Sequence, residues 1–415
     1  MSSQLFWYVE NNNYEELKQY IEKGKNLNVL TPAAGTPGPG HFEDAEHVRA
    51  YVLDWAFDYD RKDMIILLLK NGAESVYSLL HNAAVYGDIE VLELILKLYP
   101  HIVEKTFEKS PVWDSLYNGH EDAAVWLIAH GADYKNFESY TATATASGLF
   151  LAPMHLAAIK GMAKVVEAIL QKQKKYVEYI DSTGRSPLHY AVQHSFTKIV
   201  NILIDARADV NVENLDGNTP LHFAHDRDNT IALLHSGACI DIHNKLGETP
   251  LVVASQLGAI DVVEELVKAG ANIYKKDKDG NSLIHQALLG RYHANKEKEI
   301  ELYVSAGLDI DNKNDQGETP LQIAVLKLKY RMVIFLLNRN ADVHIKDQFG
   351  KTLLHRVAET HSTSEECIKI ITLLKEQGIQ LNAKDDYNKT AYDVYIEKKG
   401  SLSFNFEKVS KLLEN

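Results

Sequence analysis

One short pattern recurs along the whole chain and fixes the kind of fold that it can adopt. A Ser or Thr followed by Pro and Leu begins at Ser186, Thr219, Thr249 and Thr319, and a related copy without Pro begins at Ser282. Weaker copies begin at residues 3, 51, 78, 110, 152, 352 and 390. A period of about 33 residues is typical of proteins built from stacked supersecondary units, because one such unit cannot bury its apolar face alone.

Each unit carries signals that begin and end two short helices. A Gly two residues before the Ser or Thr, as at Gly217 and Gly247, suits a turn with positive φ. The Ser or Thr suits a helix N-cap, and Pro suits the first helical position. A second segment has apolar residues at helical spacing, for example Ile260, Val263 and Leu266. The sequence therefore predicts a helix-turn-helix in every unit.

The pattern resembles the ankyrin repeat, whose signature is T-P-L-H-x-A. The resemblance covers nearly the whole chain and is strongest from about residue 152 to 358. It implies an all-α fold, an ankyrin-repeat α-solenoid of about twelve helix-turn-helix units with short hairpin loops and terminal caps. In such a solenoid the inner helices and the hairpins line a concave surface.

Departures from the pattern divide the chain into three segments. Residues 1–150 hold degenerate N-terminal repeats with loop insertions at 29–47 and 135–150. The insertion at 29–47 is rich in Pro and Gly, and the insertion at 135–150 is rich in Thr, Ala and Ser, so neither is expected to form a helix of the repeat. Residues 151–389 hold regular repeats, and residues 390–415 suit a C-terminal capping repeat. The unit at 219 is short, so we expect trimmed helices there, and residues 291–297 lengthen the unit at 282.

Composition excludes several classes of function. The chain has 44 Lys and Arg against 57 Asp and Glu, and a net charge of -13 disfavours nucleic acid and anionic membranes as partners. Two cysteines, Cys239 and Cys367, are too few for a disulfide framework or an all-cysteine metal site. No apolar run approaches the ~18 residues of a membrane helix, and the N-terminus lacks a signal-peptide pattern. We expect a monomer in the cytoplasm, without membrane insertion.

The histidines and cysteines could in principle carry chemistry. Six histidines occupy the fourth position of the repeated string, where a ring can hydrogen-bond to neighbouring turns: His81, His155, His189, His222, His285 and His355. The alternative is a metal set of His222, His225, His235, Cys239 and His243, but its spacing is not that of a zinc finger. The string from Gly35 to Gly40 lacks the order of a phosphate loop. We expect no catalytic residue, no metal and no cofactor.

Aromatic residues are unevenly distributed. All four tryptophans lie in the first third of the chain, and three tyrosines there fall seven or eight residues after a unit begins, at the end of the inner helix. Tyr and Trp dominate the energetics of protein interfaces, so we predict an aromatic docking stripe with an acidic rim. Its predicted residues are Trp55, Tyr59, Tyr86 and Tyr117, with Asp58, Asp60 and Asp63. Alternatively, the large side chains fill gaps between irregular repeats, and the acids are a solvated face.

The resemblance to ankyrin repeats implies a non-enzymatic module that binds a partner protein, and the acidic rim favours a partner with a basic surface. The chain is also similar to the ankyrin effectors that intracellular bacteria deliver into host cells, because it is rich in Lys, Asn and Ile and its repeats are irregular. That setting implies secretion into the host cytoplasm. A housekeeping scaffold is the alternative, and a cryptic enzyme within residues 1–150 is a third.

Overall fold

The computed structural model describes residues 2–28, 52–104, 110–134, 151–290, 296–397 and 404–414. The predicted insertions at 29–47 and 135–150, and residues 291–295 of the long unit, lie outside these ranges. The described residues are α-helices, short 3₁₀ turns and connecting turns, without a β-strand. The prediction of an all-α repeat fold is confirmed. The chain divides into two compact units, Met1–Leu215 and Asp216–Asn415.

The described residues of the first unit form six helix pairs, and in each pair we call the first helix inner and the second outer. Each inner helix packs against the next inner helix, as Val76–Tyr86 packs against Val52–Asp58 and Pro111–Asn118. The pairs are Ser2–Glu10 with Tyr14–Glu22, Val52–Asp58 with Lys62–Lys70, Val76–Tyr86 with Ile89–Leu98, Pro111–Asn118 with Glu121–Ala129, Pro153–Lys160 with Ala163–Lys172, and Pro187–Gln193 with Thr197–Asp205. Two 3₁₀ turns, Ile102–Glu104 and Lys174–Glu178, lie between pairs.

In the second unit, the part of the chain that the structure describes also forms six pairs, with the same packing of inner on inner helix. They are the 3₁₀ helix Pro220–Phe223 with Arg227–His235, Pro250–Leu257 with Ile260–Lys268, Leu283–Leu289 with Lys296–Ser305, Pro320–Leu326 with Tyr330–Leu337, Leu353–Glu359 with Glu365–Glu376, and Ala391–Ile396 with Phe404–Glu414. The single 3₁₀ turn at Pro220–Phe223 is the trimmed helix that the short unit predicted. The expected C-terminal cap is a further helix pair, whose last helix packs on Glu365–Glu376.

The turns before the inner helices have the predicted backbone. The glycines there, among them Gly184 and Gly217, have φ of +78° and +76°. A Cβ atom at Gly217 would also lie 3.0 Å from the Lys245 nitrogen in the next hairpin. Glycine is therefore required at this position both by its own φ and by the approach of its neighbour.

At six of these turns, a side chain three residues before the glycine, or before Asn388 in the last one, closes the hairpin. The Oδ1 atom of Asn244 accepts the backbone N–H groups of Leu246 and Glu248 at 3.0 and 2.9 Å. Equivalent bonds are made by Asp181, Asp277, Asn314, Asp347 and Asp385. Successive hairpins are joined by backbone bonds such as Lys245 N–H to the Asp216 carbonyl, 2.8 Å. This role of the Asp and Asn residues was not predicted, although they recur at a fixed spacing from the glycines.

One buried polar network lies in the second unit. The Lys296 ammonium is 3.4 Å from Glu299 Oε2, and the two side chains are 5% and 0% exposed. The Ser255 hydroxyl contacts Glu299 Oε1, and the Tyr303 hydroxyl donates to the same oxygen at 3.2 Å. An ion pair therefore replaces apolar packing between the repeat that begins at 249 and the next one.

Candidate functional site

Four of the repeated histidines link their inner helix to the following repeat. The backbone N–H of Ser282 donates to Nδ1 of His285 at 3.2 Å, and Nε2 of His285 donates to the Glu318 carbonyl at 2.9 Å. The same pair of bonds is made by His155, His222 and His355. We call this pair of bonds the histidine clamp. Because Nδ1 accepts and Nε2 donates, these rings are neutral. The predicted structural role of these histidines is confirmed.

Because of these bonds, His222 of the possible metal set is not available as a metal ligand. Both ring nitrogens of His222 are used, by the Thr219 N–H at 3.1 Å and the Glu248 carbonyl at 3.2 Å. Burial also lowers the pKa of His155 and His285. Within the described residues there is no group of three His, Cys, Asp or Glu side chains that could hold a metal ion.

Cys367 does not have the surroundings of a catalytic nucleophile. Cys367 is buried, and its burial raises the pKa of the thiol to about 11. A nucleophilic cysteine requires the opposite shift. Cys239 is exposed and lies in the turn after an outer helix.

The predicted aromatic residues lie at the ends of consecutive inner helices. Tyr59 and Tyr86 each directly precede a residue with positive φ, Asp60 (+52°) and Gly87 (+71°), so they share one register. Tyr117 lies two residues before its equivalent, Gly119 (+91°). A shift of one residue rotates a side chain by about 100° around an α-helix, so Tyr117 faces a different direction from the other two.

The exposure of these side chains differs. Tyr86 and Tyr117 are 46% and 51% exposed, which a tyrosine that fills a core gap would not be. Tyr59 is half-buried. Trp55 is 8% exposed and packs edge-on against Phe6, with ring centroids 5.5 Å apart. Trp55 is therefore buried beneath the inner-helix surface, and Tyr86 and Tyr117 are exposed on it.

The acids and the rings are close together. The hydroxyl of Tyr59 donates to Glu10 Oε1 at 3.3 Å. Burial raises the pKa of both Tyr59 and Tyr86, and the negative charge of Asp58 raises each further. Asp58, Asp60 and Asp63 are all exposed.

Two further features of this surface were not predicted. Phe57 packs against Tyr86 with ring centroids 5.6 Å apart. His81 departs from the other repeats, because its Nδ1 contacts the carboxylate of Asp114 in the next inner helix. Both sit on inner helices in the same part of the first unit, and the repeat pattern alone gave no signal for either.

At Tyr117 a cation already occupies the aromatic surface. The ammonium of Lys160 lies 5.5 Å from the ring centroid and donates to the Tyr117 carbonyl at 3.0 Å. Lys160 ends the inner helix of the next repeat. The surface can therefore hold a basic side chain against a tyrosine ring.

These features define a class of protein: a helical repeat protein whose inner helices are clamped by histidines and whose hairpins are closed by Asp or Asn. A family model for ankyrin repeats matches three segments, residues 146–214, 206–277 and 284–385, which together cover more than half of the chain. The chain belongs to the ankyrin repeat family. Ankyrin repeats mediate protein–protein interactions, and proteins of this family are generally non-catalytic. Of the helices that the structure describes, none has the length and apolarity to cross a bilayer.

The relatives include a viral and a mouse protein. The chain is 23% identical over 357 residues to ankyrin repeat protein OPG189 of variola virus, a match that covers 77% of this chain and 56% of the viral protein. It is 30% identical over 177 residues to the B-cell lymphoma 3 protein homolog of Mus musculus, covering 41% and 38%. The human ASB11 ankyrin repeat domain superposes with a TM-score of 0.46 at 27% identity, over 56% of this chain and 99% of that one. The matches therefore span 56% of the viral protein and 38% of the mouse protein, less than two thirds of either.

Proposed function

We propose that the chain is a non-enzymatic module that binds a partner protein through the inner-helix surface of its first unit. The half-exposed rings of Tyr86 and Tyr117 carry this proposal. Tyr is one of the residue types enriched in interface hot spots, and these two exposed rings lie at the ends of consecutive inner helices. The exposed Asp58, Asp60 and Asp63 favour a partner whose apolar anchors are flanked by Lys or Arg.

Two single substitutions test this surface. Tyr86→Ala and Tyr117→Ala should each weaken capture of the partner from eukaryotic cytosol by about thirtyfold or more, as expected for a hot spot of about 2 kcal/mol. Both side chains are exposed, so the melting temperature should change little. Tyr387→Ala is a matched control, because Tyr387 is 65% exposed but lies in a hairpin of the second unit. Lower melting temperatures with unchanged capture would show that the two tyrosines serve packing.

The proposed setting is the cytoplasm of a host cell, as for the bacterial effectors that the sequence resembles. The irregular repeats and the abundance of Lys, Asn and Ile support it. A translocation assay that compares the whole chain with a chain lacking its last 15 to 20 residues, roughly the final helix, tests this setting. Transfer of neither chain would favour the housekeeping scaffold, whereas equal transfer of both would show only that the removed residues are not required for delivery.

A further inference from the structure

Two exposed leucines end consecutive inner helices of the second unit. Leu257 and Leu289 are the last residues of the second and third inner helices of this unit, and these two helices pack against each other. Their side chains are 57% and 45% exposed. Leu257 directly precedes Gly258 (φ +71°), which is the register of Tyr59 and Tyr86. The second unit therefore presents aliphatic side chains at the ends of inner helices, where the first unit presents tyrosines.

A basic stretch follows in the next repeat. Residues 319–341 contain no Asp or Glu, and Lys327 and Lys329 lie in the turn between the inner and the outer helix. The Lys329 ammonium donates to the carbonyl of Leu288, so a positive charge lies beside the helix end that carries Leu289. Lys327 is exposed, and neither lysine forms an ion pair with another described residue.

The electrostatic surroundings of Lys329 are positive. Burial lowers the pKa of Lys329, and the charges of Lys296 and Lys327 lower it further. Lys296 is already paired with Glu299, whereas no described carboxylate pairs with Lys329. A cation in such surroundings is stabilised by an added negative charge. The position therefore favours an anionic group of a partner.

Lys329 also lines a groove of about 270 Å³ between the starts of two consecutive outer helices. The groove is lined by three cations, one acid, a tyrosine and a methionine: Lys329, Arg331, Lys369, Glu366, Tyr330 and Met332. Arg331 pairs with Glu297 at 3.4 Å. Lys369 pairs with Glu365 at 2.8 Å. Both pairs are exposed, and an exposed pair contributes at most about 1 kcal/mol, so a carboxylate of a partner can compete for these cations.

The geometry points to a second partner-binding surface, which we call the turn edge. It consists of Leu257, Leu289, Lys327, Lys329 and the groove beside Arg331. Lys329 joins its two parts, because its ammonium reaches the end of an inner helix and its side chain lines the groove. The turn edge fits a segment of a partner protein in which Leu, Ile or Val lies next to Asp or Glu. The aliphatic side chains cover the two leucines, and the carboxylates meet the cations.

A protein segment fits the turn edge better than a nucleic acid does. The exposed apolar side chains are leucines, which give bases no ring to stack on. Glu366 in the groove and the net charge of -13 repel a phosphate backbone. The partner's charge is opposite to that expected at the acidic surface of the first unit. This inference goes beyond the proposed function, since it adds a second partner and makes the chain an adaptor.

The test uses the full chain with isotope-labelled leucine methyl groups and three hexapeptides with blocked ends. The acidic peptide alternates Leu with Asp, the neutral peptide Leu with Asn, and the basic peptide Leu with Lys. The methyl resonances are assigned by their loss in Leu257→Met and Leu289→Met. We expect both sets to shift saturably with the acidic peptide, with an affinity about tenfold higher than for the neutral peptide, and not with the basic peptide.

Substitutions locate the effect. Lys327→Met and Lys329→Met should each lower the affinity for the acidic peptide about threefold, because each removes one charge and keeps most of the side chain. Lys327 is exposed, so its substitution should leave the melting curve unchanged even if loss of the bond from Lys329 to Leu288 lowers it. Lys346→Met removes the same charge from an exposed hairpin position of this unit and should have no effect. Leu215, 61% exposed in a hairpin of the first unit, reports nonspecific binding.

Other results would overturn the turn edge as a binding surface. Equal affinity for the acidic and neutral peptides, no saturable shift with the acidic peptide, or unchanged affinity in both lysine variants would each contradict it. Parallel shifts of Leu215 would show that binding is nonspecific. Stronger binding of a thymidine oligonucleotide than of the acidic peptide would show that the surface selects negative charge alone and not a protein segment. None of these results affects the partner capture that depends on Tyr86 and Tyr117, so the turn edge can fail while the proposed function stands.

Discussion

One repeat differs from its neighbours in a way that allows the contribution of the histidine clamp to the free energy of unfolding to be measured. In the repeat that begins at Thr319, Gln322 replaces the histidine, and its Oε1 accepts the Thr319 N–H at 2.8 Å. Its Nε2 is buried and has no hydrogen-bond partner among the described residues. Gln322 therefore keeps the helix cap but loses the bond to the following repeat. His285→Gln should convert a complete clamp into this half-clamp.

The magnitude follows from the bond that is lost. In His285→Gln the Ser282 N–H keeps an acceptor, and the Glu318 carbonyl loses the ring donor but keeps the Asn314 N–H at 3.0 Å. The buried Nε2 of the new glutamine is then left without an acceptor, as Nε2 of Gln322 is. Leaving one buried group unsatisfied costs about 1–3 kcal/mol. For a cooperative unit of about 200 residues each kcal/mol corresponds to about 2–4 °C, so the melting temperature should fall by several degrees.

The reverse substitution, Gln322→His, should stabilise the chain by about 1 kcal/mol. In the complete clamps the acceptor is the carbonyl directly before the next N-cap residue, as at Glu318 and Lys389. The corresponding carbonyl after Gln322 is that of Lys351. The new ring would donate to this carbonyl, which already accepts the Asp347 N–H at 3.1 Å, and the unpaired Nε2 of Gln322 would be removed.

Urea denaturation followed by circular dichroism measures both changes, with the His285→Gln/Gln322→His double variant as a test of additivity. His344→Gln is the control, because His344 is an exposed hairpin residue. If His285→Gln unfolds at the same urea concentration as the parent, or if Gln322→His is destabilising, the clamp does not contribute as the geometry indicates.

Three further predictions concern stability. Burial lowers the pKa of His155 and His285, so below about pH 6.5 the folded chain binds fewer protons than the unfolded chain. The free energy of unfolding should therefore be highest above about pH 6.5 and should fall as the pH is lowered. A melting temperature that is constant down to about pH 5 would contradict this. Gly217→Val should destabilise by at least about 1–3 kcal/mol of backbone strain, and by more than Gly237→Val, where φ is also positive but a Cβ meets no atom within 4 Å; equal melting curves for the two variants would show that the neighbouring hairpin does not limit the site. Lys296→Met leaves a buried carboxylate without its cation and should cost about 3–5 kcal/mol by chemical denaturation; a loss below about 1 kcal/mol would mean that this carboxylate is neutral in the folded chain.

The sequence predicted the elements that depend on local backbone chemistry. Gly217 marked a turn because few other residues adopt its φ, and the position of His285 in the repeated string indicated its structural role. It did not predict the pairing of Lys296 with Glu299, because charged residues on a helix ordinarily face solvent and their burial depends on the neighbouring repeat.

The candidate binding surface was predicted in part. The tyrosines were placed correctly at the ends of the inner helices, but the one-residue offset of Tyr117 became visible only against Gly119. Phe57 was missed because it occupies no conspicuous repeat position, and its contact with Tyr86 joins two repeats. Contacts between repeats depend on how the helices stack, which spacing along one chain does not specify.

The network around Glu299 also limits how this chain can be rearranged during evolution. Repeat arrays grow and diversify by duplication and exchange of single units, which succeeds when each unit tolerates any neighbour. Ser255 lies in one repeat, while Glu299 and Tyr303 lie in the next. A duplication that separated these two repeats would leave a charged network against an apolar neighbour. The two repeats are therefore expected to be inherited as a pair, so that the smallest exchangeable module at this point of the chain is about twice the usual length.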